Sequence, residues 1–209
     1  MHYSLKSLLL FCLLTFFAVS VVWADNETQN NDVEYIPPTW FLEYSKGDKD
    51  SEHTLVALGL ERDVNQNSFG GLYFSQDTLT PDGDIIGVGI MALQLAQEKS
   101  IYGARVSLGI SKTELLQYER TGIDLGIGAY FPIVGDLSWY LDSGYRLTWL
   151  SMDYENSEFM EMNASLGVNY RPHSHVNLFA FYRYDGFVSR ELEFETIQEG
   201  IQIGVSLSY

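Results

Sequence analysis

Cysteine is all but missing. Cys12 is the single one among 209 residues, and it lies in an N-terminal stretch that reads as an export signal. Once that stretch is removed, the chain can build no disulfide, no zinc–thiolate site and no thiol nucleophile. Basic residues are scarce as well. Twelve Lys and Arg stand against 28 Asp and Glu, a formal net charge of −16, which leaves no electrostatic footprint for nucleic acid. Phosphate-rich headgroups repel such a chain unless divalent cations or local basic sites intervene. Beyond Ala24 no apolar run approaches the roughly 20 residues of a spanning helix. Any crossing of a bilayer must then be made by strands, because only helices and closed barrels satisfy all their backbone hydrogen bonds in lipid. Proline is sparse at 5 residues, whereas 14 Tyr, 12 Phe, 4 Trp and 18 Gly suit a β-rich protein.

At the N-terminus, Met1, His2 and Lys6 precede an apolar run over 8–19, followed by Val22, Trp23 and Ala24. A basic start, an apolar middle and a small residue at the cleavage position describe a secretory signal peptide over 1–24. The run is short for a transmembrane helix. Phe11, rather than a small residue, precedes Cys12, which argues against a lipoprotein anchor. Residues 25–38 are polar and acidic and end in Pro37-Pro38, which cannot donate to a β-ladder. They read as a short periplasmic segment, too short to fold, ahead of a β-barrel over 39–209.

From Thr39 onward the chain breaks into about ten alternating segments separated by turn chemistry. They are predicted as strands over 39–45, 53–62, 68–76, 85–95, 100–111, 121–131, 137–151, 159–170, 176–185 and 196–209; eight strands are possible if the first or third pairing is misread. The fifth sets Tyr102, Ala104, Val106, Leu108 and Ile110 against Gly103, Arg105, Ser107, Gly109 and Ser111. The eighth alternates Met160, Met162, Ala164 and Leu166 with Glu161, Asn163, Ser165 and Gly167. Several runs reach the roughly 9–11 residues that a tilted strand needs to cross a bilayer. Connections at 63–67, 96–99, 132–136 and 171–175 read as short turns. Those at 46–52, 77–84, 112–120, 152–158 and 186–195 read as mostly longer, charged loops, the asymmetry expected between periplasm and exterior.

The same alternation suits a soluble, lipocalin-like barrel with the apolar face inside. Two features favour the inverted arrangement. Gly and Ser dominate the polar face, rather than the Lys and Glu that solubilise an exterior. Aromatics gather near strand ends, with Trp40, Phe131, Trp139, Tyr170 and Tyr209 at the short-turn side and Tyr44, Trp149, Phe159 and Tyr184 at the loop side. Rings of this kind favour the headgroup level.

The last ten residues, Gly200 to Tyr209, place an apolar residue at every odd position and stop on an aromatic one. This stretch resembles the carboxyl-terminal strand of bacterial outer-membrane β-barrels. With the length and the signal, it makes the chain similar to the small Gram-negative outer-membrane barrels, the OmpA/OmpX-like group in the broad sense. Gly126-Ile127-Gly128-Ala129-Tyr130, Ser143-Gly144-Tyr145-Arg146 and Phe181-Tyr182-Arg183-Tyr184 are also similar in style to YfaZ-like outer-membrane proteins. The resemblance implies an all-β, antiparallel, up-and-down transmembrane barrel in the outer membrane. Its partners would be outer-membrane lipid and lipopolysaccharide, with the barrel-assembly machinery reading the strand that ends at Tyr209. It transfers no active-site residue, and it demands no oligomer, so a monomer is expected.

The inward parity collects Glu43, Arg105, Asp124, Asp142, Arg146, Glu161, Arg183 and Asp185. Counted from the short-turn end, Arg105, Asp124 and Asp142 fall at similar depth, and so do Arg146, Glu161 and Arg183 higher up. Barrel shear offsets such levels, so these pairings are candidates. Alternating signs on neighbouring strands suit a network of ion pairs filling a narrow lumen, because confined charges are costly unless paired. Serine catalysis needs a histidine base oriented by an acid. His53 is read in a loop beside Ser51 and Glu52, and His173-Ser174-His175 in a short turn, so no enzyme is expected. Asp48, Asp50 and Glu52, with Asp82, Asp84, Glu191, Glu193 and Glu195, could hold Ca²⁺ or Mg²⁺ through hard oxygen ligands. They show no calcium-loop order and read as a solvated surface, and no cofactor is implied. The expected role is structural or interactive. A narrow porin-like channel for small solutes and a lipid-modifying enzyme are the alternatives.

Overall fold

A strand that alternates strictly has two unlike faces, and ten such strands in series satisfy their edges only by closing on themselves. The computed structural model describes residues 40–47, 50–63, 68–79, 83–94, 103–115, 118–147, 150–152, 159–173, 175–189 and 194–208. Its strands are β1 (Trp40–Gly47), β2 (Glu52–Asp63), β3 (Ser68–Leu79), β4 (Gly83–Gln94), β5 (Gly103–Leu115), β6 (Tyr118–Val134), β7 (Leu137–Arg146), β8 (Phe159–His173), β9 (Val176–Ser189) and β10 (Phe194–Ser208). Each pairs antiparallel with its neighbours in the chain, and β1 pairs with β10 to close the barrel. Ten strands replace the eight-strand alternative. The expected signal over 1–24, the segment over 25–38 and Tyr209 lie outside the described residues.

The wall is taller on the loop side than the sequence suggests. Segments expected as loops continue as strand: β3 runs to Leu79, β5 to Leu115, and β6 begins at Tyr118. Their charges are ladder residues. Glu114 sits directly opposite Glu119, a like-charge pair that would be unfavourable alone. Lys112 resolves it, with its Nζ 2.5 Å from Glu114 and 2.8 Å from Glu119. Thr78 likewise donates to Asp84 at 3.1 Å across β3 and β4. On the loop side the β7–β8 connection is the longest between described strands. Where β7 ends early, the connection itself lies against β6: Ser151 bridges to Gly122, and the Met152 amide donates to the Thr121 carbonyl at 2.7 Å.

At the other end the β6–β7 and β8–β9 turns are tight. Gly135 takes φ +55°, a left-handed conformation that glycine adopts without steric cost. The β6–β7 turn shrinks to Gly135 and Asp136. Pro132 remains within β6, beside a register shift, a position that tolerates a residue without an amide proton.

The exterior is apolar. Val88, Ile90, Leu166, Ile201 and Ile203 are all more than half exposed, and Trp40, Trp139 and Tyr170 are exposed toward the short-turn end. The interior is less uniformly hydrophilic than its alternation suggests. Phe41, Leu55, Ala57, Tyr73, Met91 and Leu93 form one inward apolar cluster. Tyr140, Phe179 and Phe181 form another, with Tyr130 against them. A barrel this narrow must be filled by side chains, and apolar ones need no hydrogen-bond partner. The charges occupy what remains between these two clusters and the loop-side end.

Candidate functional site: the charged lumen

Arg105 is the centre of the first of three ionic groups. Its Nη2 lies 2.6 Å from Asp142 and donates to Tyr140 Oη at 3.2 Å, while its Nη1 donates to Glu43 at 3.1 Å. Register explains the reach to Asp142. Arg105 pairs with Gly128 on β6, and Gly128 pairs with Asp142 on β7. Glycine leaves room for the two side chains to meet over the strand between them, and a Cβ at position 128 would stand 2.6 Å from the Asp142 Oδ2. Glu43 lies on β1, separated from β5 by three strands, so that contact spans the lumen.

Arg183 anchors the second group. Its Nε lies 2.9 Å and 3.1 Å from the two oxygens of Asp185, two residues along β9, and its Nη2 donates to the same carboxylate at 2.9 Å. Across the barrel its Nη1 reaches Asp77 on β3 at 2.7 Å. Gln198 completes Asp185 from β10 at 3.4 Å. His53 joins this group to the first. Its Nδ1 is 2.8 Å from Asp77, its direct partner in the β2–β3 register, and its Nε2 is 3.6 Å from Glu43.

The third group lies toward the loops. Arg146 stands opposite Glu161 in the β7–β8 register, 3.6 Å away, and reaches Asp124 at 3.5 Å. Its Nε donates to Ser111 at 3.0 Å. Glu161 collects further donors, Thr113 at 2.7 Å and the Tyr118 hydroxyl at 3.0 Å. Arg120, fully buried, places Nη1 3.6 Å from Glu161 and donates from Nη2 to the Leu147 carbonyl at 2.9 Å.

All eight inward residues named from the sequence carry at least one of these ion pairs. Two of the pairings that strand depth suggested form, Arg105 with Asp142 and Arg146 with Glu161, and the others differ. Asp124 lies opposite Gly109, four residues along β5 from Arg105, and it pairs with Arg146 instead. Arg183 faces Ser165, whereas Glu161 faces Phe187, so Arg183 turns to Asp77 and Asp185. Three charged members were missed: Asp77, Arg120 and His53. Asp77 and Arg120 fall in segments read as loops, where parity was not counted. His53 shares the inward parity of Leu55 and Ala57 on β2, and that parity was the available signal.

Burial sets what this site can do. Glu161 and Asp185 are 2% exposed and Arg120 is 0% exposed. Charges this deeply enclosed are tolerable only with partners and hydrogen bonds in place, and here carboxylates alternate with guanidiniums across the cavity. Both ring nitrogens of His53 face carboxylates, Asp77 and Glu43.

No family model matches the sequence, and no curated protein sequence matches it. Among the solved structures that resemble it in form are three barrels. A de novo designed transmembrane β-barrel shares 12% identity over 85% of this chain and 100% of the other, with a TM-score of 0.36. The loop L8 deletion mutant of OmpT, an outer-membrane protein of Vibrio cholerae, shares 9% over 92% and 72%, with 0.44. Outer-membrane expressed OmpT of Vibrio cholerae shares 10% over 84% and 63%, with 0.42. The class defined by the chain's own strand pairing is a closed, ten-stranded antiparallel β-barrel, apolar outside and charged within.

Proposed function

We propose that this chain is an integral outer-membrane β-barrel of the small OmpA/OmpX-like type, with a structural or interaction role and a lumen closed by ion pairs. The observation that supports the plug is the burial of the lumen's own charges. Arg105, Arg146, Arg183 and Glu43 are each less than one-tenth exposed, whereas a water-filled channel would leave such groups wet. Contacts from Arg105 to Glu43 and from Arg183 to Asp77 cross the cavity and occupy the space a solute would need. The membrane placement draws on the exposed apolar belt, which would be a severe liability in water and is at home in lipid. In this reading the chain is exported by a cleaved signal peptide, folds as a monomer among outer-membrane lipid and lipopolysaccharide, and presents its charged rim outside.

Single-channel recording in planar bilayers tests the closed lumen. The expected result is silence, or rare and unstable steps. Stable, large currents would replace the plug with the narrow porin-like channel. A lipid A mass shift on overexpression would replace it with a lipid-modifying enzyme.

A further inference from the structure

The short-turn end brings together two imidazoles that the lumen does not use. His173 closes β8, and His175 lies in the turn before β9. Both are exposed, and their ring centroids are 5.5 Å apart with planes 34° from each other. That spacing carries chemical meaning. A divalent ion about 2.1 Å from an imidazole nitrogen stands roughly 3.2 Å from the ring centre, so two imidazoles on one tetrahedral ion have centroids about 5.2 Å apart.

The hydrogen bonds around the pair favour the same assignment. His175 Nδ1 lies 2.9 Å from the Ser208 carbonyl. A carbonyl only accepts, so Nδ1 carries the proton, and in the neutral ring the lone pair falls on Nε2. Metal-binding histidines are typically fixed in this way, one nitrogen donating to a carbonyl or carboxylate and the other facing the ion. His173 Nδ1 accepts the His175 amide at 3.4 Å, a long contact that coordination can replace at little cost. The turn is also tied to the strand that closes the barrel, since the Ser208 amide donates to the His175 carbonyl at 3.0 Å. Ser208 is in turn the register partner of Phe41 on β1.

We infer that His173 and His175 form a site for a divalent transition-metal ion of the kind imidazole selects, zinc or copper rather than calcium or magnesium. Among the described residues no cluster of three or more His, Cys, Asp or Glu gathers to hold a metal, so the two imidazoles are the ligands that these residues would supply. Because the turn is hydrogen-bonded to the end of β10, an ion held there braces the seam between β10 and β1 from the short-turn side.

The test uses the detergent-solubilised full chain without a polyhistidine tag. Zn²⁺ should raise its unfolding temperature, and H173Q should lower Zn²⁺ affinity more than about tenfold while unfolding like the unsubstituted protein when metal is absent. The spectrum of one bound Cu²⁺ per chain should show two imidazole nitrogens, a readout that needs no substituted protein. An equal Zn²⁺ response from the protein lacking both histidines would overturn the assignment. So would a Cu²⁺ spectrum with one histidine nitrogen or none.

Discussion

Arg105 on β5 and Glu43 on β1 meet 3.1 Å apart across the interior of the barrel, although three strands separate them around the wall. Their contact turns a ring of strands into a braced cylinder. Removing Arg105 takes the guanidinium from two enclosed carboxylates, Glu43 and Asp142, and breaking a buried pair costs about 3–5 kcal/mol. R105M should therefore lower the urea midpoint for unfolding from detergent or lipid sharply. The double variant R105M/E43L should recover only part of that loss, because Asp142, 2.6 Å from Arg105, is still left without its guanidinium.

Arg120 provides the contrast. It is as deeply enclosed as any charge in the lumen, yet among the described residues its Nε and Nη1 have no hydrogen-bond partner, and Glu161 keeps Arg146, Thr113 and Tyr118 without it. R120M should cost clearly less than R105M in the same titration. An equal or larger cost would mean that the loop-side group depends on Arg120 for its charge balance.

Gly128 tests the route by which Arg105 reaches Asp142. A methyl group at this position meets the Asp142 carboxylate, and overpacking of this kind costs about 1–3 kcal/mol. G128A should destabilise the barrel, and the cost should shrink in a D142A background, a non-additivity expected only of residues in contact. Additive losses would place the two side chains apart.

His53 stands between Asp77 and Glu43, so its role is to link two ionic groups. H53A should lower the unfolding midpoint, by about 1–3 kcal/mol for the polar groups left unmatched. Labelling by a serine-hydrolase probe should be at background in both H53A and the unsubstituted protein. Labelling that disappears with H53A would instead identify a catalytic histidine.

The legibility of this chain divides along physical lines. The period of two is local, so alternation alone placed β4 at 85–95 against the observed Gly83–Gln94, and it put Glu43, Arg105 and Arg183 on the inner face. Strand ends were less visible. Lys112, Glu114 and Glu119 read as a solvated loop, because a charged ladder pair and a charged loop have the same composition, and only the register shows Lys112 bridging two carboxylates. The same misreading hid Asp77 and Arg120. Cross-lumen partners were not legible at all. Parity says which residues point inward, but the stagger between strands decides which of them meet, and that stagger moved Asp124 from Arg105 to Arg146. The inward clusters around Tyr73 and Tyr140 were missed because β1–β4 are apolar on both faces in places, as at Met91 and Ile90.

The central claim is that the greasy face of this cylinder meets lipid. Trp139 lies on the outward face of β7 and is 50% exposed. A variant that keeps this tryptophan alone, the others changed to Phe, can be folded into vesicles whose acyl chains carry bromine at known depths. Strong quenching by bromines near the headgroup end, fading toward the bilayer centre, is the result expected of a girdle residue. Fluorescence untouched by bromine at every depth, from protein that stays dissolved when detergent is withdrawn, would contradict the account.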